Sequence, residues 1–165
     1  MGDVQAAYRA MLRDDVAPAL RALGFTGSGS RYTLPDPESW ALLGFQSSRY
    51  NTGEHLTFTV NLCAVPLILW ESRRREQSQL PLKPSPGTYY GDFVWSWRLG
   101  HLMPVNEDVW WDLDEDAEVA DVASEVVTAI EAYGLPALRE HLRTGTGGRP
   151  VPQSPRLTQC RPSTT

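Results

Sequence analysis

The sequence predicts an α+β fold, in which an antiparallel sheet of four to five strands carries an N-terminal helix and a C-terminal helix on one face. Two stretches, 4–23 and 116–133, place apolar residues every three or four positions, the spacing of an amphipathic helix. Between them, residues 40–65 alternate apolar and polar side chains around a short polar loop, which is typical of a β-hairpin. Helices at the two ends of a run of strands indicate one helical layer packed on one sheet.

The first element is a helix from Val4 to Leu23. Gly24 follows it and suits the C-terminal cap, because glycine readily adopts the left-handed conformation. Pro18 lies inside this helix. Since a proline is tolerated only in a first turn, we expect a kink there or a restart after Asp14 or Asp15.

A turn and three strands follow the first helix. Residues 26–30 consist of threonine, glycine and serine and predict a plain turn. Strands are expected at Arg31–Leu34, Trp40–Tyr50 and His55–Val65. Residues 51–54 form a four-residue hairpin loop between the last two strands.

The length of that loop predicts the register of the hairpin. It pairs Phe45 with Val60 and Leu43 with Leu62. In this register one face is apolar and turned to the core, with Leu43, Phe45, Leu56, Phe58, Val60 and Leu62. The opposite face is polar, with Gln46, Ser48, Thr57, Thr59 and Asn61.

The second half of the chain returns from strands to helices. Residues 66–88 are loop-like, with a possible short helix at Leu67–Gln79. Further strands are expected at Tyr89–Leu99 and Val109–Leu113. The last long helix, Asp116–Tyr133, is capped by Asp114 or Asp116 and ended by Gly134. A short helix, Leu135–Leu142, with a proline in its first turn, closes the domain.

The chain divides into a domain at 1–142 and a tail at 143–165. The domain holds all 20 acidic residues and 11 of the 15 basic ones, a balance of −9. The tail carries four arginines among glycine, proline and threonine, a composition that cannot offset its ordering entropy, so we predict it to be disordered. An acidic domain argues against nucleic acid as the partner, although the arginine tail alone could contact it weakly.

Cysteine usage and the N-terminus favour a cytoplasmic protein. Cys63 and Cys160 are the two cysteines, one in a predicted strand and one in the tail, so no structural disulfide is expected. Met1 leads into a polar stretch that does not resemble a signal peptide. The longest apolar run, Leu62–Trp70, has nine residues and is too short to cross a membrane.

The motifs of the common enzyme and metalloprotein families are not found. There is no phosphate-binding loop, dinucleotide fingerprint, zinc-protease helix or hydrolase nucleophile elbow. We therefore expect no cofactor, no metal and no catalytic residue. Residues 107–125 hold nine acids and no lysine or arginine, which predicts a solvated face or, alternatively, a surface for a basic protein partner. Their spacing does not match a calcium-binding loop.

One set of residues has the chemistry of a binding site. Gln46, Ser48 and Asn61 share the polar face of the hairpin, and Arg98 joins them if strand 89–99 points its tryptophans inward. Amide and guanidinium groups on a rigid sheet suit a carboxylate or a phosphate. The alternative is that this face simply contacts water.

Two further residues complete the predicted site. His101 follows strand 89–99 and is the histidine nearest these polar residues, where it could act as an acid or base. Trp110 and Trp111 are adjacent, so in a strand they face opposite ways, and one of them is free to line a groove. The tentative ligand-binding residues are Gln46, Ser48, Asn61, Arg98, His101 and Trp111.

Six short stretches follow one another in a characteristic order: Gly24-Phe25, Phe45-Gln46-Ser47-Ser48-Arg49-Tyr50-Asn51, Phe58-Thr59-Val60-Asn61-Leu62, Arg98-Leu99-Gly100, Asp108-Val109-Trp110-Trp111-Asp112-Leu113 and Leu135-Pro136-Ala137-Leu138. Together they resemble the bacterial family catalogued as domain of unknown function 4304. The resemblance spans about residues 4–142 and implies no activity, because the family has none attached to it. It marks Gln46, Ser47, Asn61, Arg98 and Trp111 as matching the family pattern.

These observations favour a bacterial cytoplasmic domain that binds a partner without catalysis. The partner would be a protein with a basic surface or a small anionic ligand. The alternative is a small enzyme or ligand-binding protein that uses the polar sheet face for an anionic small molecule. The sequence leaves open whether the protein is an enzyme, and the lack of a nucleophile–base pair favours that it is not.

Overall fold

The computed structural model describes residues 3–144, which form an α+β fold as predicted. Six strands make one antiparallel sheet: β1 (Thr26–Ser28), β2 (Arg31–Thr33), β3 (Ser39–Ser47), β4 (His55–Pro66), β5 (Trp95–Arg98) and β6 (Trp111–Asp114). The α-helices are α1 (Val4–Met11), α2 (Ala17–Ala22), α3 (Leu67–Glu76), α4 (Val119–Ala129) and α5 (Leu135–Thr144). Two π-helical turns, Leu12–Val16 and Ile130–Gly134, and a 3₁₀ turn, Leu99–Leu102, complete the described elements.

The long strand β4 organises the sheet. The strand order is β1-β2-β3-β4-β5, and β6 also pairs with β4. β5 lies along residues 61–64 of β4 and β6 along residues 55–58, so two short strands share one edge of β4. The segment that connects them, including the 3₁₀ turn, therefore leaves and returns to the same edge.

The predicted hairpin register is confirmed. Phe45 pairs with Val60 and Leu43 pairs with Leu62. β3 ends at Ser47 rather than at Tyr50, because Asn51 accepts a hydrogen bond from the Thr57 backbone N–H and draws the connecting loop away from the strand.

Three further differences concern β1, β5 and β6. Residues 26–28 form β1 rather than part of a turn, because they pair with β2 across a tight connection at Gly29. β5 starts only at Trp95, since Gly91 adopts a positive φ and its carbonyl accepts from Val94 in a turn. β6 is shifted along the chain and runs from Trp111 to Asp114.

The N-terminal helical segment is interrupted by a π-helical turn just before its proline. A π-helical turn joins α1 to α2, with the Ala17 N–H donating to the Leu12 carbonyl, and Pro18 lies in the first turn of α2, where a proline is tolerated. Gly24 ends α2 with φ +105. Its N–H donates to Arg21 and that of Phe25 donates to Leu20, the paired bonds of a Schellman cap.

The C-terminal helical segment differs from its prediction at both ends of α4. The helix starts at Val119 without a side-chain cap, because the Asp114 carboxylate accepts instead from the Asp116 N–H in the preceding turn. Gly134 does not end the helical segment, which continues through a π-helical turn into α5. A Cβ at Gly134 would lie 3.2 Å from Leu99 and 3.3 Å from Leu62, so a glycine at this position allows the helical segment to pack closely on the sheet.

The main core lies between one face of the sheet and helices α1, α4 and α5. All six residues predicted for the apolar face of the hairpin belong to it. Phe58 is at its centre, with ring centroids 5.3 Å from Tyr8, 5.9 Å from Trp111 and 6.1 Å from Phe45. The two predicted helices therefore cover one face of the sheet, as expected.

The opposite face is only partly open, which corrects the prediction of a face that simply contacts water. α3 forms over the first part of the predicted loop, and its Trp70 is fully buried. A second apolar cluster collects beneath it, with Leu42, Cys63, Val65, Trp70 and Val94. Burial raises the pKa of the Cys63 thiol to about 12, so this cysteine is a packing residue.

Two predictions, on membrane-spanning helices and on the tail at 143–165, are compared with the described residues alone. Between residues 3 and 144 there is no helix with the length and apolarity needed to span a membrane. α5 includes Arg143 and Thr144, the first two residues of the predicted tail. The rest of that tail lies outside the described residues.

Candidate functional site

A row of four residues crosses the polar face of the sheet. Arg31 of β2 is opposite Gly44 of β3, Gly44 is opposite Asn61 of β4, and Asn61 is opposite Arg98 of β5. Residues directly opposite in neighbouring antiparallel strands share a face. Asn61 and Arg98 therefore lie on one face, as the predicted site requires, and a second arginine lies at the other end of the row.

Two amide side chains are joined at the middle of this row. The Asn61 Nδ2 donates to the Gln46 Oε1 at 2.7 Å, and Asn61 is only 6% exposed. The Gln46 Nε2 has no hydrogen-bond partner among residues 3–144, and Gln46 is exposed. The pair therefore presents a fixed amide donor at the surface of the sheet.

The segment 85–88 covers the row and turns it into a cleft. A Cβ on Gly44 would lie 3.0 Å from the ring of Pro86, and one on Gly87 would lie 3.5 Å from the Asn61 Nδ2. The cleft has a volume of about 270 Å³. It is lined by Ser30, Arg31, Gly44, Phe45, Gln46, Asn61, Ser85, Pro86, Gly87 and Thr88.

The charge of this cleft is opposite to that of the domain. Arg31 is its one charged residue, and no aspartate or glutamate lines it. Within residues 3–144, no carboxylate lies within ion-pair distance of the Arg31 guanidinium. In a domain with a balance of −9, an unpaired arginine beside amide and hydroxyl donors makes a local site for an anion.

Arg98 shares the row but is engaged elsewhere. Its guanidinium forms a salt bridge with Asp108 and lies 5.1 Å above the ring of Trp110. The Trp110 Nε1 donates to the same Asp108 carboxylate at 3.1 Å. Arg98 does not line the cleft, and its charge is largely neutralised by Asp108.

The remaining predicted site residues lie outside the cleft. Ser48 accepts from the Tyr50 N–H in the hairpin loop. His101 packs with its ring centroid 6.4 Å from that of Trp97, whose side chain contacts the main core on the other face of the sheet. Trp111 is buried on that same face against Phe58.

One tryptophan of the adjacent pair is buried and its neighbour is not, as their strand geometry predicted. Trp111 belongs to the core, whereas Trp110 is half-buried beside Arg98. Trp111 also borders a shallow groove with residues of α4, on the opposite side of the sheet from the cleft. The structure thus brings together Gln46 and Asn61, keeps Arg98 at the end of their row, and separates the other three predicted residues from them.

The sequence interpretation missed Arg31 and the segment 85–88. Arg31 begins a strand of only three residues, which is too short for alternation to show on which face of the sheet its side chain lies. Residues 85–88 look like a proline-containing linker, and their place above Gly44 depends on contacts distant in sequence. The available signal was Gly44 itself, since a glycine within a strand often marks a close approach of another segment.

The acidic run contributes local contacts as well as surface charge. Besides the Asp108 salt bridge, the Asp112 carboxylate lies 2.8 Å from the His55 Nε2. Across residues 3–144, there is no group of three or more histidine, cysteine or acidic side chains placed to hold a metal ion.

Comparison with known proteins gives a family and no activity. A family model described as "Domain of unknown function (DUF4304)" matches residues 16–140. None of the curated proteins matches the chain, and none of the solved structures does.

Proposed function

Since this chain belongs to the family described as domain of unknown function DUF4304, whose description names no activity, we propose its function from the cleft: it is a binding domain for a small anionic molecule. The ligand would be a carboxylate or a phosphate held by Arg31, Gln46 and Asn61. The proposal extends to a bacterial cytoplasmic protein. The arginine-rich, lysine-poor composition supports a bacterial source, and the cysteine usage supports a reducing compartment.

One observation carries the proposal. The cleft contains an unpaired guanidinium and no carboxylate, within a domain whose charge is strongly negative. Arg31 is exposed at the cleft and has no carboxylate within ion-pair distance among residues 3–144, so its charge is available to an anion from solvent. Hydroxyl groups of Ser30, Ser85 and Thr88 supply further donors at the rim.

The lining supports binding rather than catalysis. A nucleophile needs a base within hydrogen-bond reach, and the histidine nearest in sequence to β5, His101, packs against Trp97 instead. The buried thiol of Cys63 lies in the second apolar cluster, and its raised pKa leaves it unreactive. The residues that face the ligand are donors that orient it.

Thermal unfolding of the full chain with a panel of carboxylates and phosphates tests the proposal. Each carboxylate is compared with its uncharged amide and each phosphate with the corresponding alcohol, at constant ionic strength. A ligand at a hundred times its Kd stabilises the fold by about 2.7 kcal/mol. Arg31→Met should lower the affinity about ten- to a hundredfold, the effect of losing a charge-assisted bond.

Arg9→Met is the matched control, because Arg9 is exposed on α1, which packs on the other face of the sheet. It should leave the affinity unchanged. An equal loss in both variants would mean that the anions act through net charge, and no loss in Arg31→Met would refute the site.

A second candidate partner is a protein with a basic surface. Besides the two paired aspartates, the acidic run keeps seven exposed acids, Glu107, Asp114, Glu115, Asp116, Glu118, Asp121 and Glu125. Binding of this kind would weaken steeply with salt and would be unaffected by Arg31→Met.

A further inference from the structure

A second, smaller cleft lies next to the first on the polar face. It has a volume of about 80 Å³ and is separated from the first by Pro86, which lines both. Arg31 also lines both, so this residue lies at their junction. The second cleft is lined by Arg31, Tyr32, Leu42, Leu43, Lys83, Pro84 and Pro86.

Lys83 gives this second cleft its own positive charge. It is the single lysine in a chain with 14 arginines. Its Nζ donates to the Thr33 Oγ1 at 2.7 Å and lies 5.3 Å from the ring centroid of Trp40. Both partners are uncharged, and among residues 3–144 no carboxylate lies within ion-pair distance of the ammonium.

The spacing of the two cations follows from strand geometry. Arg31 and Thr33 are alternate residues of β2, so they share a face and their Cα atoms are about 6.6 Å apart. Because Lys83 is hydrogen-bonded to Thr33, its charge lies beside the next same-face position along the strand from Arg31.

The segment that carries Lys83 is anchored on both sides. The Trp70 Nε1 donates to the Leu82 carbonyl at 3.2 Å, and the Ser85 N–H donates to the Tyr90 hydroxyl at 3.0 Å. Pro84 and Pro86 are buried against the sheet. The backbone that carries Lys83 is therefore held in place before any ligand binds, which lowers the entropy cost of binding.

We propose that Lys83 is the second anchor of the ligand site, and that the ligand is a compact dianion with acidic groups roughly 7 Å apart, the spacing of same-face positions on a strand. The inference rests on the proposed function, since one acidic group occupies the cleft at Arg31, Gln46 and Asn61. The second group reaches Lys83 past Pro86, where Arg31 contacts both clefts. The linker between the two groups is short and apolar, in keeping with the side chains of Leu42, Leu43 and Pro84 in the smaller cleft.

Paired probes that differ by one acidic group test this inference on the full chain. Adipate is compared with hexanoate, and butane-1,4-diphosphonate with butylphosphonate, by amide chemical-shift titration at constant ionic strength. The wild type should bind each probe with two acidic groups at least about tenfold more tightly than its counterpart with one, the value of one charge-assisted bond. The pair with the larger preference identifies the acidic group as carboxylate or phosphate.

The variants separate the role of the ammonium from an effect on folding. Lys83→Met should abolish the preference for the probe with two acidic groups and lower the affinity for hexanoate or butylphosphonate much less. Lys83→Arg keeps the charge and should retain the preference. Thr33→Val removes the hydrogen bond that positions Lys83 and should reduce the preference partly.

Each failure has a distinct meaning. If the single anions bind through Arg31 but the wild type shows no preference for dianions, or Lys83→Met keeps that preference, the inference is wrong and the proposed function stands. If none of the four probes binds, and the earlier anion panel shows no loss of affinity in Arg31→Met, both the inference and the proposed function are wrong.

Discussion

The two faces of the β3–β4 hairpin have the same strands and the same register, but they end up in different environments. On one face, helices α1, α4 and α5 bury all six apolar positions of the hairpin, Leu43, Phe45, Leu56, Phe58, Val60 and Leu62. On the other, α3 buries only the end near Leu42 and Cys63, and Asn61 and Gln46 are left beneath a short segment with a cleft. Alternation decides which way a side chain points, whereas the covering elements decide whether it becomes core or site.

The largest expected effect comes from a substitution on the face that helices α1, α4 and α5 cover. Phe58→Ala should lower the free energy of unfolding by about 3–5 kcal/mol, because it empties a site ringed by Tyr8, Phe45 and Trp111. Urea unfolding measures it. Ile68→Ala is the control, since Ile68 is 87% exposed on α3 and should change stability by less than about 0.5 kcal/mol.

A smaller effect is expected beneath the cleft face. Trp70→Phe should cost about 1–3 kcal/mol, because it leaves space in the second cluster and removes the hydrogen bond to the Leu82 carbonyl. That bond also anchors the segment above the cleft, so anion affinity should fall as well. Phe58→Ala, measured at a temperature where it remains folded, should leave that affinity largely intact.

A third comparison uses pH on the covered face. His141 is 2% exposed and stacks on Trp95, and burial holds its pKa below the ordinary value. In the unfolded chain the pKa returns to about 6.5, so below that pH the unfolded state binds more protons. Stability contributed by His141 is complete above about pH 6.5 and is lost as the pH falls.

His141→Phe keeps an aromatic ring against Trp95 and has no titrating group. Unfolding curves at pH 7.5 and pH 5.5 should therefore show a smaller loss of stability on acidification in His141→Phe than in the wild type. An equal loss in both proteins would show that other groups, and not His141, cause the pH dependence.

The smallest effect separates the two arginines of the polar row. Arg98→Met should lower anion affinity by less than about fivefold, because Arg98 does not line the cleft and is already paired with Asp108, and interactions of exposed charges contribute at most about 1 kcal/mol. Arg31→Met should lower it tenfold or more. Titration of both variants with one anion measures the difference, and the reverse order would move the anchor to Arg98.

Much of the fold was predictable because local patterns and tertiary packing agree. The hairpin register followed from loop length and alternation, and the restart of the first helix followed from Pro18. The end of α4 was wrong because Gly134, which usually ends a helix, here allows close contact with Leu99 and Leu62. β5 began later than predicted because a turn at Gly91 interrupts an otherwise strand-like pattern.

The candidate site was predictable only in its middle. Gln46 and Asn61 were identified from alternation, since both lie in long strands. Arg31 was missed because three-residue strands do not show which way they face, and Lys83 because nothing local links it to Thr33, 50 residues earlier. The pairing of Arg98 with Asp108 was likewise hidden, because it depends on how the connection between β5 and β6 folds back.

The sequence by itself determined the types of the longer helices and strands, the register of β3 against β4 and the side chains that face away from the core. These depend on periods of 2 and 3.6 residues, which are written in neighbouring positions. Only the tertiary structure decided that Arg31, not Arg98, is the unpaired cation, and that Pro86 settles over Gly44 to make a cleft. The physical reason is that charge neutralisation and surface covering are set by groups distant in sequence, whose proximity exists only in the folded chain.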